Sequence, residues 1–136
     1  MSSRPDPAAT ASRPAVPGVL WLAAAFVAVE ALVMVGLGVA EIASFSTERI
    51  ELGVTTTLFF LAYGAGLAVC AYGLTRPWPS VRAPVVLAQL LQLLTAWSFR
   101  GGETTPVALA GAGLAVAVLV LVLLPASTLV LAPDDD

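Results

Sequence analysis

The sequence has few of the residues on which soluble enzymes depend. Histidine, lysine and asparagine are absent, and Cys70 is the only cysteine among 136 residues. The lack of histidine removes the commonest general base and metal ligand, and a single cysteine excludes an internal disulfide and a multi-cysteine metal site. No Ser–His pairing and no glycine-rich phosphate-binding loop is found. The sequence therefore predicts no enzyme, no resident metal and no cofactor.

Charge is also scarce and unevenly distributed. Only 11% of the residues are charged and 59% are hydrophobic, whereas about 25% of a soluble domain is charged. The net charge of −3 comes partly from three C-terminal aspartates, and no basic patch of the kind that binds nucleic acid is present. Long uncharged stretches between short charged segments are typical of membrane-spanning helices. We therefore expect membrane lipids, and no nucleic acid, around this chain.

Four apolar runs are predicted to span the membrane. They cover approximately residues 19–43, 54–74, 84–99 and 107–124. The first, second and fourth runs are long enough to cross about 30 Å of hydrocarbon. The third run, at about 16 residues, covers only some 24 Å, so it either crosses where the bilayer thins locally or is re-entrant. Tryptophan and arginine near both of its ends favour a crossing.

Two short tails flank these spans. Residues 1–17 are rich in proline, serine and alanine and are predicted to form a disordered cytoplasmic tail, and residues 133–136 form an acidic tail. A cleaved signal peptide is the alternative for the first run, because the tripeptide GVA before Glu41 resembles a cleavage site. The run is longer than the roughly 7–15 apolar residues of a signal peptide, which favours an uncleaved membrane helix.

The short loops between the spans determine the predicted fold. They indicate an all-α protein, an antiparallel four-helix transmembrane bundle over residues 18–132. With the N-terminus inside, the cytoplasmic side holds four arginines and the outer side two. Because arginine concentrates in cytoplasmic segments, we predict a multi-pass plasma-membrane protein with both termini in the cytoplasm.

Glu30 is an unexpected residue in the first span, within the segment FVAVEALVMVGLGVAEIA. A charged residue at a helix centre costs about 2.5–3.5 kcal/mol on insertion scales, and about a dozen Leu, Ile, Phe and Val residues in this run return roughly 5 kcal/mol. Insertion therefore remains favourable, and the carboxyl group needs partners inside the bundle. Because no basic residue lies within the membrane, we expect the neutral acid, donating a hydrogen bond to a glutamine carbonyl oxygen.

Three further side chains are predicted to join Glu30 in an intramembrane polar cluster. Gln89 and Gln92 share one face of the third span, and Tyr63 lies near mid-depth in the second. We expect Glu30, Tyr63 and Gln92 to be in contact, with Gln89 one turn closer to the cytoplasm. The cluster serves either as interhelical glue or as a proton relay, cation relay or ligand site. The lack of a second ionisable group at comparable depth favours glue.

Small residues on two spans suggest helix packing. They include Gly66 and Cys70 on the second span and Gly111 and Ala115 on the fourth. Small side chains let helix backbones approach closely, either within the chain or against a partner, and the sequence does not separate these two cases. Cys70 is interpreted as a small buried residue rather than as a nucleophile.

The segment RPWPSVRAPVVLAQLLQLLTAWS, residues 76–98, resembles a recurring segment of small four-helix integral membrane proteins of actinobacteria. In those proteins a basic, Trp-containing turn leads into a Pro-Val-Val run and a Gln-Leu-Leu-x-Leu pattern. A Leu-Leu-Pro-Ala sequence like that at residues 123–126 closes the last span. The resemblance implies four spans in an actinobacterial plasma membrane. It implies no activity, and no role for Gln89 or Gln92.

Two functional hypotheses follow from the sequence. The leading one is a non-enzymatic accessory or scaffold subunit of a membrane complex, which packs against other membrane subunits or against itself. Sparse polar groups, short loops and small-residue faces favour it. The alternative is a small proton-coupled transporter or channel that uses Glu30. It would act as an oligomer, since one four-helix bundle leaves little room for a pathway.

Overall fold

Residues 15–132 are described by the computed structural model, and they form helices with no β-strand among them. Five α-helices follow in order: α1 (Gly18–Ala43), α2 (Ile50–Thr75), α3 (Arg82–Ser98), α4 (Thr105–Leu123) and α5 (Pro125–Val130). Short 3₁₀ turns at Thr47–Arg49, Pro79–Val81 and Gly102–Thr104 lead into α2, α3 and α4. The all-α prediction is confirmed. Residues 1–14 of the predicted N-terminal tail and the whole acidic tail, residues 133–136, lie outside the described residues.

Three helical segments are long and apolar enough to cross a membrane: Gly18–Ala43, Thr47–Thr75 and Gly102–Leu123. Over the most apolar 18 residues of each segment the mean hydropathy is 2.3, 1.7 and 2.6, in chain order. Only 33%, 22% and 17% of these stretches is buried inside the protein. The remainder faces outward, and Leu32, Leu58 and Val107 are 72%, 63% and 76% exposed. Apolar surface of this extent is typical of contact with lipid or with other proteins.

The shortest of the four long helices is α3. Its 17 residues extend about 26 Å, less than the roughly 30 Å of the hydrocarbon core. It therefore does not belong to the three segments that are long and apolar enough by themselves. The predicted span at 84–99 corresponds to this helix, which is short and carries two glutamines. It is therefore not a candidate membrane span by its own length and composition.

Around the bundle, the four long helices follow one another in the order α2, α1, α4, α3. Extensive contacts join α1 to α2 and α3 to α4, fewer join α1 to α4, and α1 and α3 make almost no backbone contact. The largest fully buried apolar side chains come from all four helices and from the end of α5: Leu20, Val27, Leu74, Val85, Val118, Val122 and Leu131. The core thus lies along the line where the four long helices meet.

Small residues allow α1 and α2 to approach closely. Buried small or short side chains recur every seven residues on both helices: Ala24, Ala31 and Gly38 on α1, and Thr57, Gly64 and Ala71 on α2. A Cβ at Gly64 would lie 2.9 Å from Val35 Cγ2 and 3.2 Å from the carbonyl oxygen of Ala31. Gly38 faces Leu61 in the same way. Because residue numbers rise along α1 as they fall along α2, this pair is antiparallel.

A proline separates α4 from α5. Pro125 has no N–H to donate to the carbonyl oxygen of Leu121, and the preceding Leu124 leaves the helical conformation with ψ 145. The buried Ser127 hydroxyl donates to that oxygen instead, at 2.6 Å. The carbonyl group that the proline leaves without a helical donor is therefore satisfied within the protein, as an environment without water requires. Pro125 thus ends α4, whose last residue is Leu123.

The close approach of α1 and α2 at Gly64 is testable by enlargement of the side chain. We expect Gly64→Leu to destabilise the protein by about 1–3 kcal/mol, because overpacking would push the two helices apart. The measurement is the midpoint of thermal unfolding in detergent. Gly36→Leu is the matched control, since nothing lies within 4 Å of a Cβ at that position, and its midpoint should stay close to that of the wild type. Equal losses in both variants would contradict the close contact.

Candidate functional site

Glu30 is the only buried ionisable side chain among residues 15–132, with 3% of its surface exposed. It lies halfway along α1, on the inward face that also carries Val27 and Ala31 of the core. Neither of these neighbours offers a polar group. The hydrogen-bond partners of the carboxyl group therefore have to come from other helices.

Gln89 and Gln92 of α3 supply those partners. Gln89 Nε2 donates to Glu30 Oε2 over 2.8 Å, and Gln92 Nε2 donates to Glu30 Oε1 over 3.3 Å. The three-residue spacing puts both amides on one face of α3, and Gln89 is completely buried. These two bonds connect α1 to α3, helices whose backbones make almost no contact.

Gln92 extends this arrangement to α4. Its Nε2 also donates to the carbonyl oxygen of Gly111, over 2.9 Å. Because a carbonyl oxygen only accepts hydrogen bonds, this contact assigns which end of the Gln92 amide faces Glu30. We call Glu30, Gln89, Gln92 and the Gly111 carbonyl group the Glu30 cluster. It joins three helices through one carboxyl group and two amides.

Tyr63 does not hydrogen-bond to Glu30. Its half-buried hydroxyl donates to the carbonyl oxygen of Ala88 on α3, over 3.4 Å, and its ring stacks on Phe59 with the centroids 5.8 Å apart. Because Gly64 faces α1, Tyr63 is about 100° further round α2 and is directed at α3. Tyr63 was expected to contact Glu30 directly; its hydroxyl is instead hydrogen-bonded to α3, so that it joins α2 to the turn of α3 that carries Gln89.

The hydrogen bonds run opposite to the direction expected for a neutral acid. Both glutamines donate, and both oxygens of Glu30 accept. Gln89 Oε1 is buried without a hydrogen-bond partner in the described part of the chain. A half-turn of the Gln89 amide would bring Oε1 to Glu30 Oε2, where it would accept a hydrogen bond from a protonated carboxyl group. Rotation of this amide would therefore exchange a hydrogen bond that suits the carboxylate for one that suits the neutral acid.

The four predicted packing residues have different surroundings. Ala115 is fully buried, and Cys70 and Gly111 are half-buried. Gly66 is exposed, and nothing lies within 4 Å of a Cβ at that position, so it packs against no other helix of the described residues. Close approach occurs at Gly64 instead. The seven-residue repeat of small residues on α1 and α2 is the sequence signal that indicates this position.

Neither a group of metal ligands in the described residues nor a similar protein assigns a function to this site. Within residues 15–132 no three His, Cys, Asp or Glu side chains are grouped so that they could hold a metal ion. No protein-family model, curated protein or solved structure matches the chain. The resemblance to small actinobacterial membrane proteins therefore stays a prediction.

Removal of the Glu30 carboxyl group should destabilise the protein through the donors that it leaves unpaired. We expect Glu30→Leu to cost about 1–2 kcal/mol, because the N–H groups of Gln89 lose their acceptor in a buried site. Glu30→Gln keeps a carbonyl oxygen and should cost less. The measurement is again the thermal midpoint in detergent, and indistinguishable midpoints for the two variants would contradict the bonding described here.

A double variant separates the lost hydrogen bond from lost packing. Glu30→Leu combined with Gln89→Leu removes both partners of the 2.8 Å bond. We expect the combination to be more stable than the sum of the two single losses predicts, since no buried donor is left without an acceptor at Gln89. Strict additivity of the two single effects would show that these side chains do not interact.

Proposed function

We propose that the chain is a multi-pass plasma-membrane protein in which α1 to α4 cross the bilayer as an antiparallel four-helix bundle with both termini in the cytoplasm. We further propose that it is a non-enzymatic accessory or scaffold subunit of a membrane complex. One contrast carries this proposal. The helices expose large apolar side chains outward, whereas their buried acid is bonded to two glutamines inside. Lipid stabilises such a surface, and a polar group within a membrane bundle is retained when it is enclosed in this way.

The depth of the Glu30 cluster favours a crossing by α3. Gln89 and Gln92 meet Glu30 halfway along α1, and Tyr63 meets α3 from halfway along α2. Since α1 and α2 have 26 residues each, or about 39 Å, their midpoints fall near the bilayer centre in the proposed arrangement. The exposed tryptophans near the two ends of α3, at positions 78 and 97, suit the two interfacial belts.

The hydrogen bonds that the buried polar groups make favour a structural role. Both oxygens of Glu30 accept amide donors, and Gln92 is also bonded to α4. These hydrogen bonds hold three helices in one arrangement. Such a rigid bundle with an apolar exterior is suited to packing against other membrane helices.

An exposed face of α2 favours association with another subunit. Ala62, Gly66 and Val69 are exposed along one side of this helix, and a Cβ at Gly66 would have no atom within 4 Å. A glycine on an open helix face lets the backbone of a second helix approach closely. We assign this face to contact with another membrane subunit or with a second copy of the chain.

Proton-coupled transport through Glu30 is the second candidate function, and one observation favours it. Because Gln89 Oε1 has no partner in the described residues, the cluster can take up a proton by rotation of that amide. In this case Glu30→Gln would abolish proton-coupled flux in liposomes and leave the thermal midpoint nearly unchanged.

Cysteine labelling tests the number of crossings. In a Cys70→Ala background, cysteines are introduced singly at Ser46, Ser80 and Glu103, which are exposed at the three connections between the long helices. We expect an impermeant maleimide added to intact cells to label positions 46 and 103, and position 80 only after permeabilisation, because α2 and α3 each change the side of the membrane. Labelling of positions 80 and 103 from the same side would show that α3 does not cross.

Purification of the complex tests the accessory role. We expect the wild-type chain, extracted from its native membrane in a gentle detergent, to carry a neighbour in fixed stoichiometry by native mass spectrometry. Gly66→Leu should lose that neighbour, since a leucine side chain would hold the second helix away, and Gly36→Leu should keep it as the matched control. A monomeric wild-type chain, or equal retention by both variants, would contradict the proposed contact face.

A further inference from the structure

A groove between α3, the end of α4 and Leu131, which follows α5, lies outside the Glu30 cluster. Its volume is about 540 Å³. The side chains that shape it are Arg82, Val86, Leu87 and Leu90 of α3, Leu123 at the end of α4 and Leu131 after α5. Pro125 ends α4 next to this groove, and Leu131, which follows α5, is buried in the core and also lines the groove.

The groove has a charged mouth and an apolar interior. Arg82 is the first residue of α3 and is half-buried, and it is the only charged residue among those that line the groove. Leu90 lies about 12 Å further along the helix, toward the middle of the bundle. All the lining side chains apart from Arg82 are apolar. A ligand that fits this surface has an anionic group at one end and a hydrocarbon chain behind it.

The distribution of charge supports an anionic ligand at this end of the bundle. Arg76 and Arg82 are the charged residues that residues 15–132 place there. The exposed or partly exposed acidic residues of the described chain all lie at the opposite helix ends: Glu41, Glu48, Glu51 and Glu103. Within residues 15–132, the charged side chains at the groove end of the bundle are therefore both basic, and arginine attracts anionic headgroups.

We propose that this groove binds one anionic phospholipid of the cytoplasmic leaflet, with the phosphate group at Arg82 and an acyl chain along Val86, Leu87 and Leu90. The guanidinium group suits phosphate, because its planar N–H groups donate in pairs to phosphate oxygens. Basic pockets between membrane helices on the cytoplasmic side are known to hold anionic headgroups. The inference rests on the proposed membrane topology and is independent of the accessory role.

Native mass spectrometry of the full chain tests this binding. The protein in detergent is offered palmitoyl-oleoyl phosphatidylglycerol and the matching phosphatidylcholine in equal amounts, and we expect it to retain one molecule of the anionic lipid in preference. Arg82→Gln should reduce that retention about fivefold, the factor that one arginine contributes near an anionic membrane surface. Arg49→Gln, at the opposite end of the bundle, is the matched control and should change nothing.

A second variant tests the acyl-chain part of the groove. Leu87→Trp fills the groove without a change of charge, and Leu87 is 58% exposed, so the core should tolerate it. We expect this variant to keep the wild-type thermal midpoint and to lose the retained phosphatidylglycerol.

Three results would overturn the proposal. They are equal retention of the two lipids by the wild type, equal retention by Arg82→Gln and Arg49→Gln, and lipid binding that starts only when residues 133–136 are removed. The last result would show that the acidic tail occupies the groove. Cysteine labelling tests the topology separately, so a loss of lipid selectivity with the expected labelling counts against the groove alone.

Discussion

A carboxyl group in the middle of an apolar helix needs hydrogen-bond donors inside the protein, because acyl chains offer none. Glu30 meets this requirement with Gln89 and Gln92, at 2.8 Å and 3.3 Å. The requirement sets the rotation of α1, whose acidic side has to face inward, and the register of α3, whose amides have to lie at the depth of Glu30. A slip of α3 by one turn would carry both amides about 5.4 Å away.

The bundle combines two kinds of helix association. α1 and α2 meet through small side chains at positions such as Gly64, where the backbone of α1 lies close by. α3 is short and less apolar, and polar contacts attach it to each of the other long helices: to α1 through Glu30, to α2 through Tyr63 and to α4 through Gly111. Since lipid gives no hydrophobic driving force between helices, close packing and hydrogen bonds are the interactions that hold such a bundle together.

Much of this arrangement could be predicted from the sequence. The apolar runs predicted all four long helices, although α2 begins at Ile50 rather than at residue 54. Helical spacing put Gln89 and Gln92 on one face of α3. Because Glu30 needs hydrogen-bond partners inside the bundle, that face was expected to lie against Glu30. The structure brings these three side chains together. These predictions depend on composition, on the periodicity of single helices and on the depth of each polar residue along its span.

Features that depend on the rotation of one helix against another could not be predicted in the same way. Gly66 and Gly64 are two residues apart, yet the first is exposed and the second faces α1. Tyr63, next to Gly64, is directed at α3 for the same reason. The groove at Arg82 also depends on the course of α5 after Pro125. The sequence indicates that α4 ends there but not the direction in which the chain continues.

Solid-state NMR of the protein in lipid bilayers measures the central contact directly. Gln89 and Gln92 are the only glutamines in the sequence, so side-chain ¹⁵N labelling of glutamine reports on the Glu30 cluster alone. With ¹³C at the Cδ atoms of glutamate, we expect dipolar dephasing of one glutamate signal, that of Glu30, because its carboxyl oxygens lie within hydrogen-bond distance of both amides. Absence of dephasing in the folded protein would contradict a bundle held together by this carboxyl group.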